Sequence, residues 1–396
     1  MNTLALLAEL EAIGRTDRGG YTRLAWDPAT MAMREWFAGR ASDLGLELAE
    51  DGNGNQVAWW GTGPDALLVG SHLDSVPEGG PLDGPLGVAA ALAALAGLRA
   101  SGWTPSRPLA VVNFADEEGG RFGIACLGSR LATGAISPEV ALGLHDDQGD
   151  SLADVLRARG RDPLAAGRAE WLGDVGCYVE LHVEQGRWLA PAGAAVGVAS
   201  AIWPHGRYRF DFCGQGNHAG ATAMTDRHDP MLAYAATVLA ARELASTTGQ
   251  RATVGRVRVD PGSTNSIPAR VTAWLDARAS DDGALELLVA AIVARARLAA
   301  EQDGTAVEVT PESTSAGVQF DAGLRNRLAG LLDAPVLPTG AGHDAGILAA
   351  RLPTAMLFVR NPTGISHAPE ESADPEDITA GTAALAQVIR ELASDE

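Results

Sequence analysis

Histidine and carboxylate side chains recur along this sequence directly after short apolar runs. Imidazole and carboxylate groups together are ligands that suit zinc, manganese or cobalt, and one carboxylate can bridge two such ions. Taken singly, each residue would more often be a surface group or a hydrogen-bonded structural group. Their joint pattern predicts a metal centre, and its candidate members are His72, Asp74, Asp83, Glu117, Glu118, His182, Glu184 and His367.

Alternating strands and helices are predicted for the segment that carries the first of these residues. Residues 66–70 and 109–114 read as buried strands, and residues 87–100 read as a buried helix. Units of this kind form a parallel or mixed sheet covered by helices, and ligands collect at the carboxyl ends of the strands. His72 and Glu117 both follow strands, so we expect them to lie at the same edge of the sheet.

A different order of elements begins near residue 206 and indicates an inserted α+β domain. The pattern predicts a strand, a helix, two strands, a helix and a strand, which is the ferredoxin-like arrangement. These elements are expected at residues 206–212, 229–245, 253–259, 270–279, 284–300 and 306–310. The chain then returns to a buried strand at residues 356–359 and closes with a helix at residues 377–393. We therefore expect a catalytic domain in two parts and one inserted domain, at residues 1–204, 314–396 and 205–313.

The bulk composition narrows the class of protein. A formal net charge of -20 argues against a nucleic-acid or anionic membrane surface, because both require clustered cations. The longest uncharged apolar run, residues 86–98, is shorter than the roughly 20 residues that a membrane span needs. Residues 1–13 predict an amphipathic helix and no signal peptide. The widely spaced cysteines Cys126, Cys177 and Cys213 favour a reducing compartment, so we expect a cytoplasmic protein.

A series of motifs in this sequence resembles that of the M20 metallopeptidase clan. More narrowly, the series is similar to the branch of N-carbamoyl-L-amino-acid hydrolases and allantoate amidohydrolases. It runs in order through residues 70–76, 79–87, 117–122, 180–186, 217–220, 342–345 and 366–370. The resemblance implies an α/β protein with a zinc-peptidase-like mixed-sheet catalytic domain and an inserted ferredoxin-like lid, through which two copies form a homodimer.

The same resemblance implies two divalent cations in each subunit, zinc or manganese, with cobalt or nickel as alternatives. One cation would be held by His72, Asp83 and His182, and the other by Asp83, Glu118 and His367. Asp83 would then bridge the two ions. The histidine at position 182 is the ligand that separates the carbamoylase branch from many peptidases of the clan, which carry an acidic residue there.

Catalytic roles also follow from the resemblance. Glu117 would take a proton from the attacking water and pass it to the leaving nitrogen. The reverse assignment, with Glu117 as the ligand and Glu118 as the base, stays open on the residues alone. Asp74 would orient His72 through its second ring nitrogen. His218 would reach across the dimer and stabilise the oxyanion of the tetrahedral intermediate.

Substrate contacts are implied at four further positions. Asn265 and Arg278 match residues that grip a substrate carboxylate, and a guanidinium can hold a carboxylate in a bidentate manner. Gln185 and His228 are expected as additional polar contacts. His343 and Asp344 belong to one of the matching motifs, but we assign them no catalytic role.

These residues predict a hydrolase that cleaves the carbamoyl, or ureido, C–N bond of a small carboxylate such as allantoate or an N-carbamoyl-L-amino acid. The same machinery could act on another N-acyl group, as an N-formyl or N-formimino hydrolase or a dipeptidase, because the pocket walls decide specificity. A third hypothesis is a metal-binding module without activity. Retention of Glu117 beside the full set of ligands argues against that third reading.

Overall fold

The computed structural model describes residues 1–394 and divides into two compact units. One unit contains Met1–Ala201 together with the chain from Gln319 onward, and the other contains Ile202–Val318. The inserted unit thus begins at residue 202 and ends at residue 318, where the sequence had suggested residues 205 and 313.

The strands and helices follow in this order along the chain. The strands are β1 Glu47–Glu50, β2 Gln56–Trp60, β3 Ala66–His72, β4 Leu109–Phe114, β5 Val175–Val183, β6 Val196–Ile202, β7 His205–Cys213, β8 Asn217–His218, β9 Arg251–Asp260, β10 Ser266–Ile267, β11 Arg270–Arg278, β12 Ala306–Ser315, β13 Val318–Gln319, β14 Val336–Thr339 and β15 Thr354–Val359. The α-helices are α1 Thr3–Leu10, α2 Pro28–Asp43, α3 Pro85–Ala100, α4 Leu127–Thr133, α5 Pro138–Leu142, α6 Leu152–Ala158, α7 Leu189–Ala192, α8 Pro230–Thr248, α9 Asp282–Gln302, α10 Ala322–Leu332, α11 Asp344–Leu348 and α12 Pro375–Leu392. Short 3₁₀ helices span Pro163–Ala165, Glu170–Asp174 and Met224–Asp226.

A mixed sheet forms the centre of the larger unit. Its strand order is β1-β2-β4-β3-β5-β15-β6-β13, and β14 also pairs with β6. Strands β4, β3, β5 and β15 run parallel to one another, whereas β2 and β6 pair antiparallel at either side of them. The predicted mixed α/β architecture is therefore confirmed.

The central strands are continuous apolar runs, as expected for strands that are buried on both faces. Every residue of β3 and of β4 is buried. Helix α3 begins with a proline at its first turn, has an almost wholly buried surface, and packs against β3, β5 and α12. One position in β3 requires glycine. Gly70 has φ +138°, and a Cβ atom there would lie 2.1 Å from the carbonyl oxygen of Val112 on β4.

The smaller unit has its own sheet and its own apolar core. Its four strands are antiparallel in the order β12-β7-β11-β9, and helices α8 and α9 pack on one face of this sheet. Alternate residues of β7 are buried, as expected for a sheet covered on one side. The element order, strand, helix, two strands, helix and strand, matches the ferredoxin-like prediction.

The sequence also led to expectations about membrane spans and about the cysteines. Among residues 1–394, no helix is both long enough and apolar enough to cross a bilayer. All three cysteines, Cys126, Cys177 and Cys213, are free thiols.

Candidate metal and catalytic site

Three neighbouring parallel strands bring the predicted ligands of the larger unit together. His72 is the last residue of β3, Glu117 follows the end of β4, and His182 lies near the end of β5. Parallel strands present their carboxyl ends at one edge of a sheet, so side chains from distant parts of the sequence converge there. All three of these side chains are almost fully buried.

Asp83 lies at the centre of the cluster and faces it with both carboxylate oxygens. Its Oδ1 atom is 3.1 Å from Nε2 of His182 and 3.6 Å from Nε2 of His72. Its Oδ2 atom is 3.3 Å from Nε2 of His367, whose Nε2 is also 3.4 Å from Oε2 of Glu118. One carboxylate therefore belongs to two groups of ligand atoms, one on each side.

These two groups have the composition and spacing of metal sites. The ligand atoms of His72, Asp83 and His182 lie within 4.8 Å of one another, and the same holds for Asp83, Glu118 and His367. Nε2 of His72, Nε2 of His182 and Oε1 of Glu118 are buried and make no hydrogen bond. Burying such groups without a partner is costly, and cations between them would satisfy all three. The residues present therefore fit divalent metal ions.

The other ring nitrogens of the buried histidines are held by main-chain carbonyls. Nδ1 of His72 is 3.2 Å from the carbonyl oxygen of Asp74, and Nδ1 of His182 is 2.9 Å from that of Val183. A neutral ring that donates from Nδ1 presents an unprotonated Nε2, which is the form that binds metal. The backbone thus sets the orientation of both rings.

The carboxylate of Asp74 has a role in addition to the one that the sequence suggested. Its Oδ1 atom is 3.5 Å from Nδ1 of His72, beside the closer carbonyl contact. The same oxygen accepts the amide N–H of Glu117 at 3.1 Å, and Oδ2 accepts the amide N–H of Glu118 at 3.0 Å. Asp74 therefore positions the backbone of both acidic residues as well as lying against the histidine.

Charges in this cluster shift the pKa values of its members in opposite directions. Burial lowers the pKa of His72, but the carboxylates of Glu117, Asp74 and Asp83 outweigh burial and hold it well above the usual value. Burial raises the pKa of Asp83, yet the rings of His182, His367 and His72 hold it well below the usual value. The imidazoles and the central carboxylate therefore stabilise one another's charged forms when no metal is bound.

The pKa values of the two adjacent glutamates, Glu117 and Glu118, are raised. Burial, followed by the nearby Asp83 carboxylate, raises the pKa of Glu118 to about 7. Burial also raises the pKa of Glu117 well above its usual value. A hydrogen bond to Asp83 raises the pKa of His367 to about 9. Cations would reverse this balance by favouring ionised carboxylates and neutral imidazoles.

Further side chains hold Asp83 in place. Gln185 donates from Nε2 to Oδ2 of Asp83 at 2.8 Å, and the Ser366 hydroxyl donates to the same oxygen at 3.1 Å. Glu371 accepts the amide N–H groups of Leu82 and Asp83 at 2.9 Å each. Gln185 therefore contacts the central carboxylate. Glu371, which follows the last matching motif, was not among the predicted site residues.

Two other positions differ from what the sequence suggested. Glu184 was a candidate ligand, but its carboxylate accepts the amides of Trp188 and Leu189 and caps the short helix α7. His343 received no role, yet its ring is fully buried and packs edge-on against His182, with centroids 4.5 Å apart. Burial, followed by the neighbouring His182, lowers the pKa of His343 well below the usual value.

Two of the four predicted residues of the smaller unit, His218 and Asn265, lie side by side. Strands β8 and β10 pair His218 with Ser266, and the amide of Ala219 donates to the carbonyl of Asn265 at 2.9 Å, so His218 and Asn265 are close neighbours. Arg278 ends β11. His228 is exposed and its ring lies against Gly304.

His218 presents a defined tautomer. Its Nδ1 atom accepts the amide N–H groups of Gly220 at 3.1 Å and Ala221 at 3.2 Å. A neutral imidazole that accepts at Nδ1 carries its proton on Nε2. The exposed edge of His218 is therefore a hydrogen-bond donor, which suits contact with a negatively charged oxygen.

Comparison with known proteins places this arrangement in a family. Residues 68–391 match the family described as peptidase family M20/M25/M40. The chain belongs to the M20 family. An N-carbamoyl-L-amino acid amidohydrolase of Geobacillus stearothermophilus is 38% identical to this M20 protein over 98% of each chain. The allantoate amidohydrolase of Escherichia coli is 32% identical, over 97% of this chain and 96% of its own.

Solved structures agree with this assignment. An amidase of the hydantoinase/carbamoylase family from Burkholderia multivorans matches the M20 protein with a TM-score of 0.89 at 31% identity, over 99% of this chain and 97% of its own. The predicted family and its carbamoylase branch are confirmed. So is the class of enzyme, a metal-dependent hydrolase of C–N bonds other than peptide bonds.

Proposed function

We propose that this M20 enzyme cleaves the carbamoyl C–N bond of a small ureido acid, such as allantoate or an N-carbamoyl-L-amino acid, and releases ammonia and carbon dioxide. The observation that carries the proposal is the position of Asp83 between two groups of ligands, with Glu117 beside them in neither group. Relatives at 38% and 32% identity are named for reactions of this kind.

Two divalent cations would occupy the cluster, zinc or manganese with cobalt or nickel as alternatives. His72, Asp83 and His182 would hold one, and Asp83, Glu118 and His367 would hold the other. When bound, such ions lower the pKa of water and polarise a carbonyl group. The donor set of imidazoles and carboxylates suits these metals.

Glu117 would act as the general base and then as the general acid. Its Oε2 atom is 3.8 Å from Nε2 of His72, so this oxygen faces the cluster while the ligand atoms surround Asp83. It would take the proton of the attacking water and deliver it to the leaving nitrogen, which departs as ammonia. The carbamate left on the other nitrogen would then lose carbon dioxide to give the amine. Asp74 would keep Glu117 and Glu118 in separate roles by holding both amides.

Residues of the inserted unit would complete the site. His218, with its proton on Nε2, would donate to the oxyanion that develops on the carbamoyl oxygen. Asn265 and Arg278 would bind the substrate carboxylate, and Gln185 and His228 would supply further polar contacts. We further propose that the inserted unit acts as a lid and forms a homodimer, in which His218 serves the partner's site.

We propose a cytoplasmic location for the enzyme. The three thiols are free, and Cys126 and Cys177 are buried. Unpaired cysteines are typical of proteins in reducing compartments.

A substrate panel tests the proposed reaction. Purified enzyme reconstituted with zinc or manganese would be offered allantoate, N-carbamoyl-L-amino acids and their D-isomers, and N-formyl, N-formimino and N-acetyl amino acids and dipeptides. We expect ammonia release from at least one ureido acid. Cleavage confined to acyl substrates or dipeptides would replace the proposal by the second hypothesis, and no cleavage of any compound would contradict both.

Matched variants of the two adjacent glutamates test their roles. Glu117→Gln should keep both metal ions and lose activity by about 10² to 10⁴-fold, the usual contribution of general acid–base catalysis. Glu118→Gln should lose metal as well as activity. The opposite result, metal loss in Glu117→Gln alone, would exchange the two assignments.

Mixing inactive variants tests the shared site. Glu117→Gln and His218→Ala subunits would be combined under conditions in which exchange is verified by mass. Recovery of activity in the mixture is expected if His218 acts on the partner's site. Exchange without recovery would mean that each chain builds its site alone.

A further inference from the structure

A buried thiol contacts the proposed general base. Sγ of Cys126 lies 3.2 Å from Oε1 of Glu117 and donates a hydrogen bond to it. The side chains of both residues are almost fully buried. The amide of Cys126 also donates to the carbonyl oxygen of Glu117, so the two residues are joined through main chain and side chain.

The two carboxylate oxygens of Glu117 have different neighbours. Oε1 receives the thiol hydrogen bond, whereas Oε2 faces the ligand cluster at 3.8 Å from Nε2 of His72. The amide of Glu117 is fixed by Asp74. The backbone and one carboxylate oxygen are therefore anchored, and only the other oxygen points to the reacting centre.

The local backbone supports the same arrangement. Cys126 precedes helix α4 with φ +57°, a left-handed conformation that is unfavourable for a residue with a side chain. With this backbone conformation, the loop that runs from Glu117 to Cys126 places the sulfur beside the carboxylate of Glu117. Burial, followed by the charge of Glu117, raises the pKa of the Cys126 thiol well above its usual value, so the sulfur keeps its proton and stays a donor.

We propose that Cys126 is a positioning residue for Glu117: its thiol holds Oε1, so that Oε2 is the oxygen presented to the attacking water. The inference rests on the proposed function, because it assumes that Glu117 is the general base. Cys126 itself contacts neither substrate nor metal in this role.

Three cysteine variants of the metal-loaded enzyme test the inference. Cys126→Ala removes the donor and should lower kcat about tenfold, equivalent to about 1.4 kcal/mol, with KM and metal content unchanged. Cys126→Ser keeps a donor and should recover most of this loss. Cys177→Ala is the matched control, because Cys177 is also a buried free thiol but accepts from Arg107, away from the cluster. Its kcat should equal that of the wild type.

An infrared measurement reads the contact without relying on turnover. The S–H stretching band of Cys126, assigned by its disappearance in Cys126→Ala, should move to higher frequency in Glu117→Gln, because an amide accepts more weakly than a carboxylate. The Cys177 band should stay in place. A Cys126 band that does not move in Glu117→Gln would overturn the inference.

The kinetic outcomes separate this inference from the proposed function. Wild-type kcat in Cys126→Ala, or equal losses in the alanine and serine variants, would overturn the role of Cys126 and leave the reaction intact. A wild-type enzyme that cleaves no ureido acid would overturn the proposed function, and the infrared result would still decide whether the thiol holds Glu117.

Discussion

Asp276 holds the guanidinium of Arg278 from two residues away on the same strand. Its Oδ1 atom accepts from Nε at 2.9 Å, and its Oδ2 atom lies 3.4 Å from Nη2. A planar fork held along one edge by a carboxylate is restricted in orientation before any ligand binds. An arginine and an aspartate with the same spacing occur on the adjacent strand β7, where Nε of Arg209 donates to Oδ2 of Asp211 at 2.9 Å.

This pair leads to a prediction about carboxylate recognition. Arg278→Lys should raise KM for the ureido acid by about tenfold to a hundredfold, because an ammonium cannot reproduce a bidentate contact. The KM for the corresponding neutral amide should change little. Steady-state kinetics on both compounds measure the effect, and Arg209→Lys serves as the control. An equal change for acid and amide would show that Arg278 does not bind the carboxylate.

The central position of Asp83 predicts unequal metal losses. Asp83→Asn should release both ions, because its carboxylate belongs to both groups of ligands. His367→Ala should release one ion, since it belongs to one group. Elemental analysis after dialysis gives the stoichiometry, and His145→Ala, a change of an exposed histidine, should retain both ions. Equal losses in the first two variants would contradict a bridging role for Asp83.

Metal binding should be coupled to proton release. The pKa of His367 is raised to about 9 and that of Glu118 to about 7, so near pH 7 His367 holds its proton and Glu118 is partly protonated. A cation needs both groups without their protons, so apparent affinity should rise as pH increases from 6 to 9. Calorimetry in buffers of different ionisation enthalpy counts the protons released. The His367→Ala variant should release fewer protons on binding metal. An unchanged number of protons would argue against ligation by His367.

A comparison of Gly84 with Gly102 tests how closely the backbone approaches the proposed metal ligands. Gly84 has φ +85°, and a Cβ atom there would lie 2.4 Å from the ring of His72, whereas Gly102 has φ +78° and open space around it. Replacement by alanine should destabilise both variants by about 1 kcal/mol through backbone strain. Gly84→Ala should lose about 1–3 kcal/mol more through overpacking, and bind metal more weakly. Denaturant unfolding of metal-free protein and metal titration measure both effects. Equal losses of stability and of metal affinity in the two variants would contradict a close approach of the backbone at Gly84 to the ring of His72.

The order of elements could be predicted because apolar periodicity reflects local burial. Strand β4 was predicted at residues 109–114 and has those bounds, and the strands and helices of the inserted unit differ from their predicted bounds by a few residues at their ends. The ligand types were also visible, because His72, Glu117 and His182 end or follow apolar strands. Glu184 shows the limit of this reasoning, because a glutamate within a ligand motif has the same sequence signal whether it binds a metal or caps a helix.

Side-chain contacts depended on how distant segments pack. No sequence pattern links Glu371 to the amides of Leu82 and Asp83, and none links the thiol of Cys126 to Oε1 of Glu117. A periodic pattern specifies which face of a strand or helix is buried, but a hydrogen bond requires positions correct to a few tenths of an ångström.

The amino-acid sequence by itself determined the family, the α/β architecture with an inserted α+β unit, and the residue types able to bind metal and move a proton. The tertiary structure alone decided that Asp83 faces both ligand groups, that Asp74 holds two amides, and that Oε1 and Oε2 of Glu117 face different partners. The physical reason is that residue type and periodicity are local properties of the chain. The direction in which each oxygen points is set by packing between segments that the sheet brings together.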